Sequence, residues 1–260
     1  MSDFVNTVDV IGDEALAARI IDRSISEIID SSVENIGVRA FASCASLVSV
    51  TFAACTSISD FAFAGCGKLK NANFPKCTTI GNTAFSSCFE LATASLPVCE
   101  SINTSAFIGC TGLTSVFFPA CTHIGDAAFA MCSNITDASF PACVTVGVGA
   151  FNTCSKMTTV SLPACKSLKT SAFFRCYSLS SLTLPVCTNI STGAFSGCET
   201  LTALTLCAST VCSIQNSLAF TATPIASGTG SIFVPASLVN SYKANASWSW
   251  FANQIVAISE

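Results

Sequence analysis

The chain has 260 residues, 51% hydrophobic and only 10% charged, with a formal net charge of −4. An ordinary soluble domain carries about 25% charged residues, so this composition excludes a disordered chain. The 11 Lys and Arg are scattered singly, which excludes the clustered basic face that nucleic-acid phosphates require. Mean hydropathy is high, +0.63. Ser, Thr, Asn or Gly nevertheless interrupts every apolar run before the roughly 18 residues of a transmembrane helix, so no membrane insertion is expected.

Taken in chain order, residues 1–24 come first and are expected to form an N-terminal helical cap. Within them GDEALAARIID, residues 12–22, reads as a short amphipathic helix with acids in its first turn. Asp3, Asp9, Asp13 and Glu14 stand where a secretory signal would have a basic start and an apolar block, so no signal peptide is expected. Ile25, Ile28, Val33 and Ile36 then enter a repeat frame in which Asp30 takes the slot of Phe52. That acid marks a degenerate first coil.

A 22-residue period dominates the next two hundred or so positions. Ala-Phe pairs end at Phe41, Phe63, Phe85, Phe107, Phe129, Phe151, Phe173 and Phe195 without an insertion, and Ala219-Phe220 comes after 25 residues. The unit beginning at Leu113 continues with Val116, Phe118, Cys121, Ile124, Ala128-Phe129 and Cys132. Its front half is the leucine-rich-repeat pattern. Val116 and Phe118 lie two apart, so on a short strand both face inward. One coil cannot hide these side chains from water; stacked coils can, with strands about 4.8 Å apart. The expected fold is a β-rich repeat solenoid of eight to nine coils over residues 25–220, roughly 40 Å long by that spacing. Residues 221–260 read as a C-terminal cap: a strand at SIFVP, a helix from Ala236 to Lys243 and a final strand QIVAI. The three parts make one structural domain.

Fifteen of the 17 cysteines recur every 11 residues, from Cys44 to Cys198. They split into a column containing Cys66, Cys88 and Cys110 and a second containing Cys55, Cys77 and Cys99. An odd count in a long chain argues against a disulfide framework. No C-x-x-C occurs and His123 is the sole histidine, which argues against a metal site or a Cys-His nucleophile. Buried free thiols acting as small hydrophobes remain. No cofactor, metal or catalytic residue is expected.

The unit Ile80-Gly81, Ala84-Phe85, Cys88, Leu91, Ala94, Leu96, Pro97 closely resembles the BspA-like (Treponema pallidum-type) leucine-rich-repeat family. The C-terminal IFVPASLVNSYKANASWSWFANQIVAI resembles the cap that ends such chains. The resemblance spans roughly residues 25–260. It implies a bacterial or protozoan surface or secreted protein and, in several members, adhesion to host proteins or other cells.

Outward strand positions should carry any ligand contact. They include Asn71, Asn73, Thr93, Ser115, Phe117, Asp137, Thr159 and Thr183, mostly small hydroxyls and amides. Phe117 is the one large apolar side chain among them and the candidate anchor. Phe89 and Tyr177 are a second, weaker aromatic pair. The partner expected is a protein or glycan engaged by a non-enzymatic binding or adhesion scaffold. The alternative is a structural spacer or surface-particle component without a discrete site.

Overall fold

The structure, a computed structural model, describes residues 25–259; the helix predicted at 12–22 lies outside the described residues. Each 22-residue unit makes one coil with a strand on each of two walls. The longer strands are β1 (Glu27–Asp30), β3 (Ser49–Phe52), β5 (Asn71–Asn73), β7 (Thr93–Ser95), β9 (Ser115–Phe117), β11 (Asp137–Ser139), β13 (Thr159–Ser161), β15 (Ser181–Leu184), β17 (Ala203–Leu206) and β19 (Ser231–Val234). Two-residue strands alternate with them, from β2 (Asn35–Ile36) through β10 (His123–Ile124) to β18 (Ser213–Ile214). All pair in parallel, and in the regular coils each residue lies opposite its equivalent 22 positions on, as in Asp137 beside Ser115 and Thr159. Ten longer strands stack rather than the eight or nine expected. The degenerate first coil and Ser231–Val234 both take places in the pile, and β20 (Ile255–Ala257) closes it beside β19.

The core is a column of phenyl rings. Phe41, Phe63, Phe85, Phe107, Phe129, Phe151, Phe173, Phe195 and Phe220 stack with centroids 5.0–5.8 Å apart and planes within 15°. This parallel stacking belongs to the geometries favoured by aromatic quadrupoles. A second set, Phe52 over Phe74 and Phe118 over Phe140, leans against it at tilted angles. In the first coil Asp30 stands beside Phe52. Its carboxylate accepts the backbone N–H groups of Ser32 and Val33, both at 2.7 Å, so a turn replaces an aromatic layer where the stack begins.

In all but the last coil, where a short 3-10 helix (Ser217–Phe220) follows β18, the stretch after each two-residue strand forms no helix, for a backbone reason. Alternate N–H groups point in opposite directions. Ala127, Phe129 and Met131 donate to Val148, Ala150 and Asn152 of the next coil, whereas Ala128, Ala130 and Cys132 donate within their own coil. Two residues per coil adopt left-handed angles to achieve this, Ala127 at φ 52° and Met131 at φ 63° in this unit. For a residue with a Cβ that conformation costs about 1–2 kcal/mol. It persists because inter-coil bonds and ring stacking surround it.

The recurring glycines Gly81 and Gly125 answer to contact between coils rather than to a left-handed turn. Gly81 and Gly125 are not among the positive-φ glycines. A Cβ on Gly81 would lie 2.5 Å from the carbonyl carbon of Ser59, and one on Gly125 would lie 2.6 Å from that of Asn103. They are required for the close approach of one coil's backbone to the previous one.

At the far end the 22-residue rhythm gives way to α1 (Pro224–Ser227), β19, α2 (Val239–Ala244) and β20, the strand-helix-strand order expected. Tyr242 and Trp248 are fully buried and seal the last coil through one residue. The Cys212 N–H donates to the Tyr242 hydroxyl at 2.8 Å, and the Trp248 indole N–H donates to the Cys212 carbonyl at 2.7 Å. Phe251 meets Phe220 edge-on at 5.1 Å, so the phenyl column ends on a ring edge.

Urea denaturation tests the ring column and the glycine contacts. Phe129→Ala removes a buried ring from the middle of the stack and is expected to cost about 3–5 kcal/mol. Gly81→Ala is expected to destabilise through its backbone collision, whereas Ala127→Gly relieves a left-handed residue and is expected to stabilise by about 1 kcal/mol. Equal effects from the two glycine swaps would refute the distinction.

Candidate ligand-binding face

The eight residues singled out in the sequence all stand on the longer-strand wall, but in three groups. That wall is not continuous. Backbone pairing joins β1 to β7, then β9 to β13, then β15 to β20, whereas the two-residue strands form one unbroken nine-stranded sheet. Asn71, Asn73 and Thr93 belong to the first segment, where the Thr93 hydroxyl donates to the Asn71 side-chain oxygen at 2.8 Å. Ser115, Phe117, Asp137 and Thr159 belong to the middle segment, and Thr183 to the third.

The middle segment is a three-stranded island with both edges open. Within the island the Thr136 N–H donates to Thr114, and the Phe140 N–H to Ser161. The equivalent bonds from Ser180 to Thr158 and from Leu162 to Thr183, across the second break, are not formed. Inward residues report the same openings. Val50, Ala72, Val116, Ala138, Leu182 and Leu204 are buried, but Ala94 and Val160, each beside a break, are only partly so.

On the island Phe117 is 62% exposed. It borders a shallow depression of about 360 Å³ shared with Ser115, Asp137, Ser139 and Thr159. The Asp137 carboxylate accepts from the hydroxyls of Thr159 and Thr136, and those two bonds hold its carboxyl below the usual carboxylate value. A second depression of about 320 Å³ adjoins the first through Thr159 and Ser161 and crosses the break to Ser181 and Thr183.

Other singled-out residues do not converge on this face. Phe89 is exposed, but Phe89 and Tyr177 are 88 positions apart in a 22-residue frame. Four coil spacings, about 19 Å, separate them, so they form no common patch. His123 is exposed on the opposite wall, with its Nδ1 2.9 Å from the Thr122 hydroxyl. Among the described residues no group of three His, Cys, Asp or Glu side chains could hold a metal ion. No helix among them is long and apolar enough to cross a membrane.

A parallel stack of 22-residue coils with one outward strand wall defines a leucine-rich-repeat scaffold. The BspA type leucine rich repeat model matches residues 10–136 and 122–231; the chain belongs to that family. Among solved structures it is similar to a leucine rich repeat protein of T. pallidum, with 26% identity and a TM-score of 0.52, covering 70% of this chain and 79% of that one. A leucine rich cell surface protein of Faecalibacterium prausnitzii matches at 18% identity and a TM-score of 0.44, covering 97% of this chain and 88% of that one. The pneumococcal vaccine antigen PcpA matches at 16% and 0.44, covering 91% and 69% respectively. No curated protein gives a significant match.

The cysteines have a role beyond filling space. All are free thiols in this structure. In the first column each Sγ from Cys66 to Cys198 donates to the carbonyl of a phenylalanine 25 residues earlier, Cys66 to Phe41 and Cys132 to Phe107, both at 3.0 Å. In the second each donates two residues ahead, as Cys77 does to Thr79 at 3.2 Å. Serine would form the same bond but would be costlier to bury; alanine would leave it unmade. Burial pushes the thiols of Cys121, Cys132, Cys143 and Cys198 up to about 12, above the ordinary value of 9.0. A raised folded-state value leaves stability intact below the unfolded value and removes it as pH climbs toward the folded one. Stability is therefore expected to hold up to about pH 8.5 and then fall toward pH 12, at up to about 1.4 kcal/mol per pH unit for each such thiol. Urea midpoints measured in reductant across that range check this; a flat profile would contradict it.

Proposed function

We propose that this chain is a non-enzymatic binding scaffold, displayed at or beyond the cell surface, that engages a protein or glycan through its outward strand wall. The observation that carries the reading is Phe117, a solvent-exposed ring on a wall that from β3 to β17 is otherwise built of small, mostly polar groups. Strand pairing and the phenyl stack beneath hold that face rigid, so binding there loses little conformational freedom. A large aromatic among neutral hydroxyls and one fixed carboxylate suits recognition rather than bond-making. Among the described residues the carboxylates and the single histidine are dispersed over the coils and supply no acid–base pair. Family membership supports surface display.

The regular face of β3, β5 and β7, without an exposed large side chain, favours a second reading in which the chain is a structural spacer. Binding to an array of purified extracellular proteins and glycans separates the two. Phe117→Ser restores the residue type held by Ser95 and Ser139 at the same strand position, so folding stability is expected to change by less than about 0.5 kcal/mol. Binding is expected to weaken by about tenfold or more, the scale of an interface anchor. Absence of any captured ligand would support the spacer.

A further inference from the structure

We propose that the island formed by β9, β11 and β13, with the opening beside β15, is a binding trough for a neutral, hydroxyl-rich glycan chain lying along the solenoid axis. The inference rests on the binding-scaffold reading and names the ligand chemistry of that face.

Phe117 and Asp137 are diagonal neighbours on adjacent strands, since Ser139 is the residue paired with Phe117 and Ser115 the one paired with Asp137. Diagonal positions lie about 7–8 Å apart. That leaves room for one sugar ring between them, its apolar face on the phenyl and its hydroxyls toward the carboxylate. The carboxylate is already oriented by two threonine hydroxyls, so it accepts from a ligand without first being ordered.

From there the surface continues rather than closing. The two depressions meet at Thr159 and Ser161 and together run from β9 to β15. Each is at the lower end of the roughly 300–1,000 Å³ range of small-ligand sites. Successive strands, about 4.8 Å apart, offer a hydroxyl-bearing position at an interval close to the length of one pyranose unit.

At the second break the Ser180 and Leu162 N–H groups lack the carbonyl partners that their equivalents have. A sugar hydroxyl can both donate and accept, so it suits such mixed backbone edges. An added peptide strand does not fit there. The Cα atoms of β13 and β15 approach within 8 Å, less than the two strand spacings, about 9.6 Å, that an inserted strand occupies.

Charge narrows the class. Asp137 is the one ionised side chain lining the two depressions, and the chain carries a net charge of −4. A sulfated or uronic-acid glycan would be repelled, and a neutral one would not.

The test uses the full chain on an array of neutral oligosaccharides with their sulfated counterparts, beside purified extracellular glycoproteins before and after enzymatic deglycosylation. Binding to neutral oligosaccharides is expected, little changed by added salt. It should weaken at least about tenfold in Phe117→Ser and in Asp137→Asn, and be unchanged in Thr51→Ala on the first segment. Circular dichroism melting confirms that the variants are folded. Preference for sulfated glycans overturns the inference. Capture of proteins that survives deglycosylation and still depends on Phe117 also overturns it, while leaving the binding-scaffold reading intact. No Phe117-dependent binding to either panel removes both.

Discussion

Coil-on-coil registration is the constraint that shapes everything else in this molecule. Each backbone must reach hydrogen-bonding distance of an equivalent backbone 22 residues away, and each buried side chain must then meet a copy of itself. Flat phenyl rings tolerate this, since they stack on their own kind with offset planes. Thiols tolerate it as well, being small enough to repeat at every level and able to donate to a nearby carbonyl. A chain built on such identity needs few charges, and Lys70 with Glu90 at 3.6 Å is the one ion pair between described residues. It joins side chains that are half exposed, where such pairs contribute little.

Registration also has local costs, visible in the backbone. Alternate N–H groups must serve two coils at once, and the chain meets that demand with left-handed residues at two positions per coil. Some are glycine, as at Gly149 and Gly193; others are Arg39, Phe61, Thr83 or Met131. Tolerance of side chains there shows that stacking and inter-coil hydrogen bonds outweigh a strain of about 1–2 kcal/mol per residue. Where two backbones come too close for any Cβ, as at Gly81, the chain has glycine without a left-handed angle.

The outward strand wall departs from this regularity. The two-residue strands run unbroken through nine coils, while the opposite wall divides into three segments. Phe117 and Asp137 occupy the middle one. A uniform ladder leaves its backbone polar groups fully paired and presents only side chains; an interrupted ladder adds backbone donors and acceptors to the surface. The wall that carries the exposed ring is therefore also the wall with unpaired backbone, and this combination distinguishes the segment from the coils on either side.

Much of this architecture is legible in the residues alone. The 22-residue spacing of Ala-Phe pairs determined the stacked coils and the buried phenyl column, because a strand exposes alternate side chains and only stacking hides the rest. The 11-residue cysteine spacing determined two buried columns, and Asp30 in an aromatic slot marked an atypical first coil. Phe117 could be singled out because every equivalent strand position from Thr51 to Thr205 otherwise holds a small polar residue. Tertiary structure decided what periodicity cannot express. The breaks beside β9 and β15 depend on how neighbouring coils meet, and no residue pattern signals them. The separation of Phe89 from Tyr177 depends on position along the stack rather than within a coil. The reason for Gly81 lies in a backbone 22 residues away, since contact between coils is a property of their packing and not of either segment's own preference.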